Sequence, residues 1–187
     1  MLARLTGKHI AMTGRLGSGP ALGPDKGIIE MAAVLLVCTA NICRSPMAEA
    51  IFKARLGDVF KTIASAGVHA DPRGGPVDAR AAAALTRHQY SLDRKWRSRR
   101  VAPEGLGQYD LVLVMEADHV DALRRKAAPE HHARILLLTD FVPELAGQDV
   151  PDPYFGPAQG FDTVIAMIER AAGSLQAAAR EGRLKFS

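Results

Sequence analysis

Four short apolar runs, separated by stretches of helical spacing, constrain this chain more than any other feature. Val34-Leu35-Leu36-Val37, Leu111-Val112-Leu113-Val114-Met115 and Ile135-Leu136-Leu137-Leu138-Thr139 are nearly continuous, as in strands buried on both faces. Ile63-Ala64-Ser65-Ala66-Gly67 is weaker and ends on glycine. Helical stretches cover 45–56, 78–88, 117–127 and 159–179, the last with a stripe of Phe161, Val164, Ile165, Ile168 and Leu175. Strands buried on both faces need helices on both sides. The pattern therefore predicts a single-domain α/β fold, a doubly wound sheet of four parallel strands flanked by helices with right-handed crossovers. Such sheets bind ligands beyond the carboxyl ends of their strands, where strand order reverses.

With 187 residues, 48% hydrophobic and 24% charged, the chain can bury a real core and is no disordered polymer. No apolar run is long enough to span a membrane, and the start shows no secretory pattern, so a cytoplasmic location is expected. Two cysteines cannot build a disulfide scaffold or a four-thiolate zinc site. Glycines and prolines interrupt every period in residues 1–30, which are expected to form a flexible extension outside a domain of residues 31–187. The net charge is +4, concentrated in that extension and in the run Arg94-Lys95-Trp96-Arg97-Ser98-Arg99-Arg100. Nucleic acid could read such a run, with Trp96 as a stacking platform, but no RNA or DNA motif accompanies it. A solvated loop or helix end is expected, with neither nucleic acid nor membrane as partner.

The first strand runs straight into Cys38-Thr39-Ala40-Asn41-Ile42-Cys43-Arg44-Ser45-Pro46. Ser45 is the expected helix N-cap, with Pro46 at the first helical position. This arrangement suits a dianion: amides of a tight loop and the positive end of a helix converge on one point. Arg44 adds a planar fork for two phosphate oxygens. The same field favours the thiolate of Cys38, the nucleophilic form. Ser45 and Asn41 could hydrogen-bond that sulfur or pin the loop. No Walker-type phosphate loop occurs.

Transfer of a phosphoryl group from a phenol to a thiolate needs an acid for the leaving oxygen. Two Asp-Pro pairs are available, Asp71-Pro72 and Asp152-Pro153. The second lies in Val150-Pro151-Asp152-Pro153-Tyr154-Phe155-Gly156, where flanking prolines stiffen the backbone and two aromatics could wall in a substrate ring. It is the better candidate for the acid.

Residues 38–49 resemble the phosphate loop and first helix of the low-molecular-weight protein tyrosine phosphatases, and Asp152-Pro153-Tyr154 resembles their acid loop. Ser65-Ala66-Gly67, the run from Tyr109 to Met115 and the terminal helix match in order, so that the resemblance covers about residues 32–179. It implies a phosphocysteine intermediate on Cys38, phosphate binding by Arg44, and Asp152 as acid and then base. It further implies a phosphate loop of Thr39, Ala40, Asn41, Ile42, Cys43 and Ser45, support from Ser65, and Tyr154 as cleft wall. Neither metal nor cofactor is implied. The implied substrate is a phosphotyrosine protein, a bacterial tyrosine kinase being one candidate, and the implied state is a monomer or weak dimer.

Two departures from the family stand out. Ala40 replaces a usual glycine, with strain expected if that position needs positive φ. Trp96 replaces a histidine of the family's loop network and is expected to lie outside the site. Related arsenate reductases resolve their adduct with cysteines further on, and no cysteine follows Cys43. Protein-arginine phosphatases resemble the chain too, but carry threonine where Ile42 stands. A non-catalytic phosphopeptide-binding module is disfavoured, because nucleophile, arginine and acid are all present. Cys43 either protects Cys38 as a reversible disulfide or simply packs. The histidines His69, His88, His119, His131 and His132 lack ligand spacing and are expected at the surface.

Overall fold

A computed structural model describes residues 32–184. The expected extension, residues 1–30, lies outside the described residues. Strands β1 (Ala32–Cys38), β2 (Phe60–Gly67), β3 (Leu111–Val114) and β4 (Ile135–Leu137) form one sheet in the order β2-β1-β3-β4. All three pairings are parallel. Helices α1 (Arg44–Leu56), α2 (Ala79–Arg87), α3 (Ala117–Arg124) and α4 (Gln159–Arg180) complete the expected fold.

Alternation along the strands divides the core in two. Val34, Leu36, Leu111 and Leu113 pack with α1, α2 and α4 on one face, while Leu35, Val37, Val112 and Val114 pack with Leu123 of α3 on the other. Helix α1 is buried along its first nine residues, Arg44 to Phe52, because the sheet and two helices enclose it. Strand β2 begins three residues earlier than its apolar run suggested, since as an edge strand it tolerates exposed Lys61 and Thr62. Strand β4 stops at Leu137, where a 3-10 turn, Leu138–Phe141, takes over. Helix α3 ends at Arg124, with Pro129 opening a 3-10 turn shortly after.

The chain leaves β1 toward β2 on one side and returns to β3 on the other. The loop after β1 thus sits at the reversal point, with the segment after β3 beside it. Gly67, paired with Cys38 across the sheet, lets the loop come this close. A Cβ there would stand 2.7 Å from the Thr39 carbonyl oxygen and 2.8 Å from the Asn41 nitrogen.

Candidate active site

Cys38 is the last residue of β1, and its Sγ lies 3.0 Å from Ser45 Oγ. The Asn41 backbone N–H donates to the same sulfur at 3.3 Å. The loop turns at Asn41, whose φ is 54°. Ala40 does not need positive φ, so the condition for strain there is not met; the left-handed residue is the next one, an asparagine, which tolerates that region better than most. The capping expectation fails. Cys43 is the N-cap, without a side-chain cap bond, and Ser45 is the second helical residue. Ser45 faces inward instead, accepting from Asn41 Nδ2 at 2.8 Å. Pro46 falls at the third position, where its missing N–H still costs the helix nothing.

Arg44 opens α1 with its guanidinium buried. Its Nη1 donates to the Val150 carbonyl at 3.0 Å and pairs with Glu116 Oε1. Its Nη2 donates to Thr39 Oγ1 at 3.1 Å and to Asp152 Oδ2 at 3.0 Å. The segment carrying Asp152 is tied to the sheet where the Val150 N–H donates to Met115 O at 2.8 Å. Asp152 folds back on its own loop, accepting the Tyr154 N–H at 3.1 Å. Asp71, the other candidate, lies on the surface paired with Arg73. A cleft of about 310 Å³ opens over the loop, lined by Cys38, Ile42, Arg44, Asp152, Tyr154 and Phe155 among others. Tyr154 and Phe155 meet edge to face at 4.9 Å, and Phe155 is 93% exposed at the rim. A thiol, a guanidinium and a carboxyl thus line one cleft, with Tyr154 and Phe155 as its aromatic wall.

The family model for low-molecular-weight phosphotyrosine protein phosphatases matches residues 33–184. The chain belongs to that family. It is 42% identical over 155 residues to a low-molecular-weight protein-tyrosine-phosphatase of Streptomyces coelicolor, covering 79% of this chain and 93% of that one. Identity to low-molecular-weight protein-tyrosine phosphatase A of Mycobacterium tuberculosis is 38%, over 76% of this chain and 88% of the other. Among solved structures, a protein tyrosine phosphatase of Entamoeba histolytica superposes with a TM-score of 0.74 at 31% identity, covering 82% of this chain and 99% of that one. Vibrio vulnificus Wzb in complex with benzylphosphonate matches at 0.70 and 31%, covering 79% and 98%. The YwlE arginine phosphatase matches at 0.70 and 27%, covering 80% and 96%. The chain is a phosphatase, a hydrolase of the tyrosine-specific low-molecular-weight family.

Several residues of this phosphatase site escaped the sequence reading. Buried Glu49 accepts from Ser65 Oγ at 2.6 Å, and Ser65 in turn accepts from Asn41 Nδ2 at 2.9 Å. Trp96, expected outside the site, donates its indole N–H to Glu49 Oε2 at 3.0 Å and so ends this chain of bonds. Lys53 balances the charge at Glu49 Oε1, 2.5 Å away. The basic run is the expected solvated loop, with Arg94, Lys95, Arg97, Arg99 and Arg100 exposed, but its backbone is tethered to the site. Arg99 N–H donates to Asn41 Oδ1 at 2.9 Å, and Arg100 bridges to Gly67 beside β2. A signal existed for Glu49: it lies four residues after Ser45, on the same helix face. Nothing local points to Trp96.

His119 corrects another expectation, being buried rather than on the surface. Its Nε2 lies 3.2 Å from Thr39 Oγ1, beside Glu116. Burial pushes its pKa below the usual histidine value, and the Arg44 charge adds to the effect against the opposing pull of Glu116. Cys43 is buried as a free thiol, and burial, with Asp78 next, pushes its pKa up to about 12. Among the described residues no helix is long and apolar enough to cross a membrane.

Proposed function

We propose that this phosphatase hydrolyses phosphotyrosine in two steps through Cys38. The thiolate attacks phosphorus, an S–P bond forms, and the P–O bond to the tyrosine breaks. Asp152 gives its proton to the departing phenolate oxygen. Water then attacks the phosphocysteine, Asp152 takes the proton back, and inorganic phosphate leaves with the thiolate restored. Arg44 and the amides at the start of α1 hold the equatorial oxygens as charge develops. Asn41, Ser45 and Ser65 keep the sulfur and loop in place, Thr39 steadies the guanidinium, and Ala40 and Cys43 complete the loop.

One observation carries this reading. Arg44 and Asp152, 108 residues apart in sequence, touch each other above the sulfur-bearing loop. Ile42 and Tyr154 line the same cleft and suit a phenyl ring, and Wzb holds benzylphosphonate, an aromatic ring one carbon from phosphorus. The substrate is a phosphotyrosine-bearing protein. A cytoplasmic location belongs to the same proposal, supported by a chemistry that needs Cys38 as a reduced thiolate, which a reducing compartment preserves.

Cys38→Ser is expected to abolish turnover of aryl phosphates. Asp152→Ala should slow phenyl phosphate by about 10²- to 10⁴-fold and esters of acidic phenols far less. Full activity in Cys38→Ser overturns the mechanism. The YwlE likeness makes phosphoarginine the second substrate to assay, and a higher kcat/KM for it than for phosphotyrosine would replace the aromatic reading. Trapping lysate proteins with Asp152→Ala identifies the phosphoprotein, a tyrosine kinase included.

A further inference from the structure

The loop that carries Asp152 is largely exposed, and only Pro153 between Pro151 and Gly156 is buried. Its tie to the phosphate loop through Arg44 and Asp152 is one that the proposed chemistry must break, since phosphate takes the guanidinium while the carboxyl turns to the leaving oxygen. The Val150–Met115 bond anchors only the start of the segment, so a second support beyond Asp152 has to keep the acid in place at that moment. Arg80, in the first turn of α2, is built for it.

Asp78 caps α2 by accepting the Arg80 N–H at 2.8 Å, and its own N–H donates to the Ile42 carbonyl in the phosphate loop at 2.9 Å. The same carboxylate grips the Arg80 guanidinium twice, at Nε (3.1 Å) and Nη2 (3.0 Å). The remaining nitrogen, Nη1, donates to the Tyr154 carbonyl at 2.9 Å. The guanidinium carbon lies 5.2 Å from the centre of the Tyr154 ring and 5.1 Å from that of Phe161 in α4. Tyr154 in turn gives its N–H to Asp152 Oδ1. A continuous strut thus runs from Ile42 through Asp78, Arg80 and Tyr154 to Asp152, and Phe161 stacks against it.

We propose that Arg80 is the positioning residue that sets the distance between the acid loop and the phosphate loop, acting through Tyr154 on Asp152. This rests on Asp152 being the general acid. All three guanidinium nitrogens donate a bond, so the requirement is for a planar fork and not merely for a positive charge. A lysine ammonium cannot reach Asp78 twice, the Tyr154 carbonyl and the ring together.

The test uses the full chain with two substrates, phenyl phosphate and 2,4-dinitrophenyl phosphate, whose leaving group needs no proton. Arg80→Ala is expected to lower kcat for phenyl phosphate by about tenfold to a hundredfold, as misplacement of a catalytic group does, and to leave the dinitrophenyl ester within about twofold. Arg80→Lys should behave like Arg80→Ala. Inhibition by inorganic phosphate, which reads the phosphate loop, should stay unchanged in both and so report an intact fold. In the Asp152→Ala background Arg80→Ala should cause no further loss. An equal loss on both substrates, full rescue by lysine, or a loss that persists without Asp152 would overturn the proposal. The acid assignment itself is read separately, from the leaving-group dependence of Asp152→Ala alone.

Discussion

Replacing Asn41 separates two effects that this residue combines. Its side chain is fully buried and makes three bonds, to Ser45 Oγ, Ser65 Oγ and the Arg99 N–H. Its backbone has a φ of 54°. Truncation to alanine removes three buried hydrogen bonds, about 3 kcal/mol together at about 1 kcal/mol each. Alanine in the left-handed region adds about 1–2 kcal/mol. Asn41→Gly loses the same bonds without the steric cost, but frees the unfolded chain by about 0.4–1 kcal/mol. Asn41→Ala should therefore destabilise by about 4–5 kcal/mol, and Asn41→Gly by about 3.4–4 kcal/mol. Urea unfolding followed by circular dichroism measures both midpoints. A glycine variant less stable than the alanine variant would refute the account of the turn. Losses below about 1 kcal/mol in both would refute the account of the network.

Glu116→Gln keeps the shape but removes the charge that orients Arg44, so kcat/KM should fall about tenfold to a hundredfold, the equivalent of a charged hydrogen bond, and inhibition by phosphate should weaken. Trp96→Phe leaves a buried Glu49 oxygen short of one donor and should cost about 1–3 kcal/mol, read as a lower thermal midpoint. With its pKa near 12, Cys43 stays a thiol at pH 8, so iodoacetamide followed by mass spectrometry should leave it unlabelled in the folded protein and label it in urea. The depressed pKa of His119 means that the unfolded chain binds its proton more tightly. Its stabilising effect is complete above about pH 6.5 and is lost as pH falls through the folded value. His119→Gln should flatten the fall in urea midpoint between pH 7.5 and 5.5.

The architecture was legible because β1, β3 and β4 are apolar on both faces and sit between amphipathic helices. The first strand also announced the loop that follows it. The edge strand was half hidden, since Lys61 and Thr62 face water. Cys38, Arg44 and Asp152 could be named from local pattern, and the cleft gathers all three. What stayed hidden depends on contacts between distant segments. Trp96 reaches Glu49 across 47 positions, and Glu116 reaches Arg44 across 72. A residue type carries no mark of such a partner. Glu116 was the more findable of the two, because it lies two residues past the end of β3, at the carboxyl edge of the sheet. His119 misled for a related reason: a single histidine on a short helix reads as solvent-facing until the loop after β1 is laid over it.

Cys38 stands at the end of a strand that is hydrogen-bonded to neighbours on both sides and buried along nearly its whole length. Amides in such a strand exchange with solvent water only when the whole domain opens. The strand end beneath the cleft should therefore fail only with the domain as a whole. Substitutions far from it that erode conformational stability will reduce the number of working molecules, and each survivor will keep its full turnover. An oxyanion held in that cleft should in turn raise the melting temperature in step with its concentration.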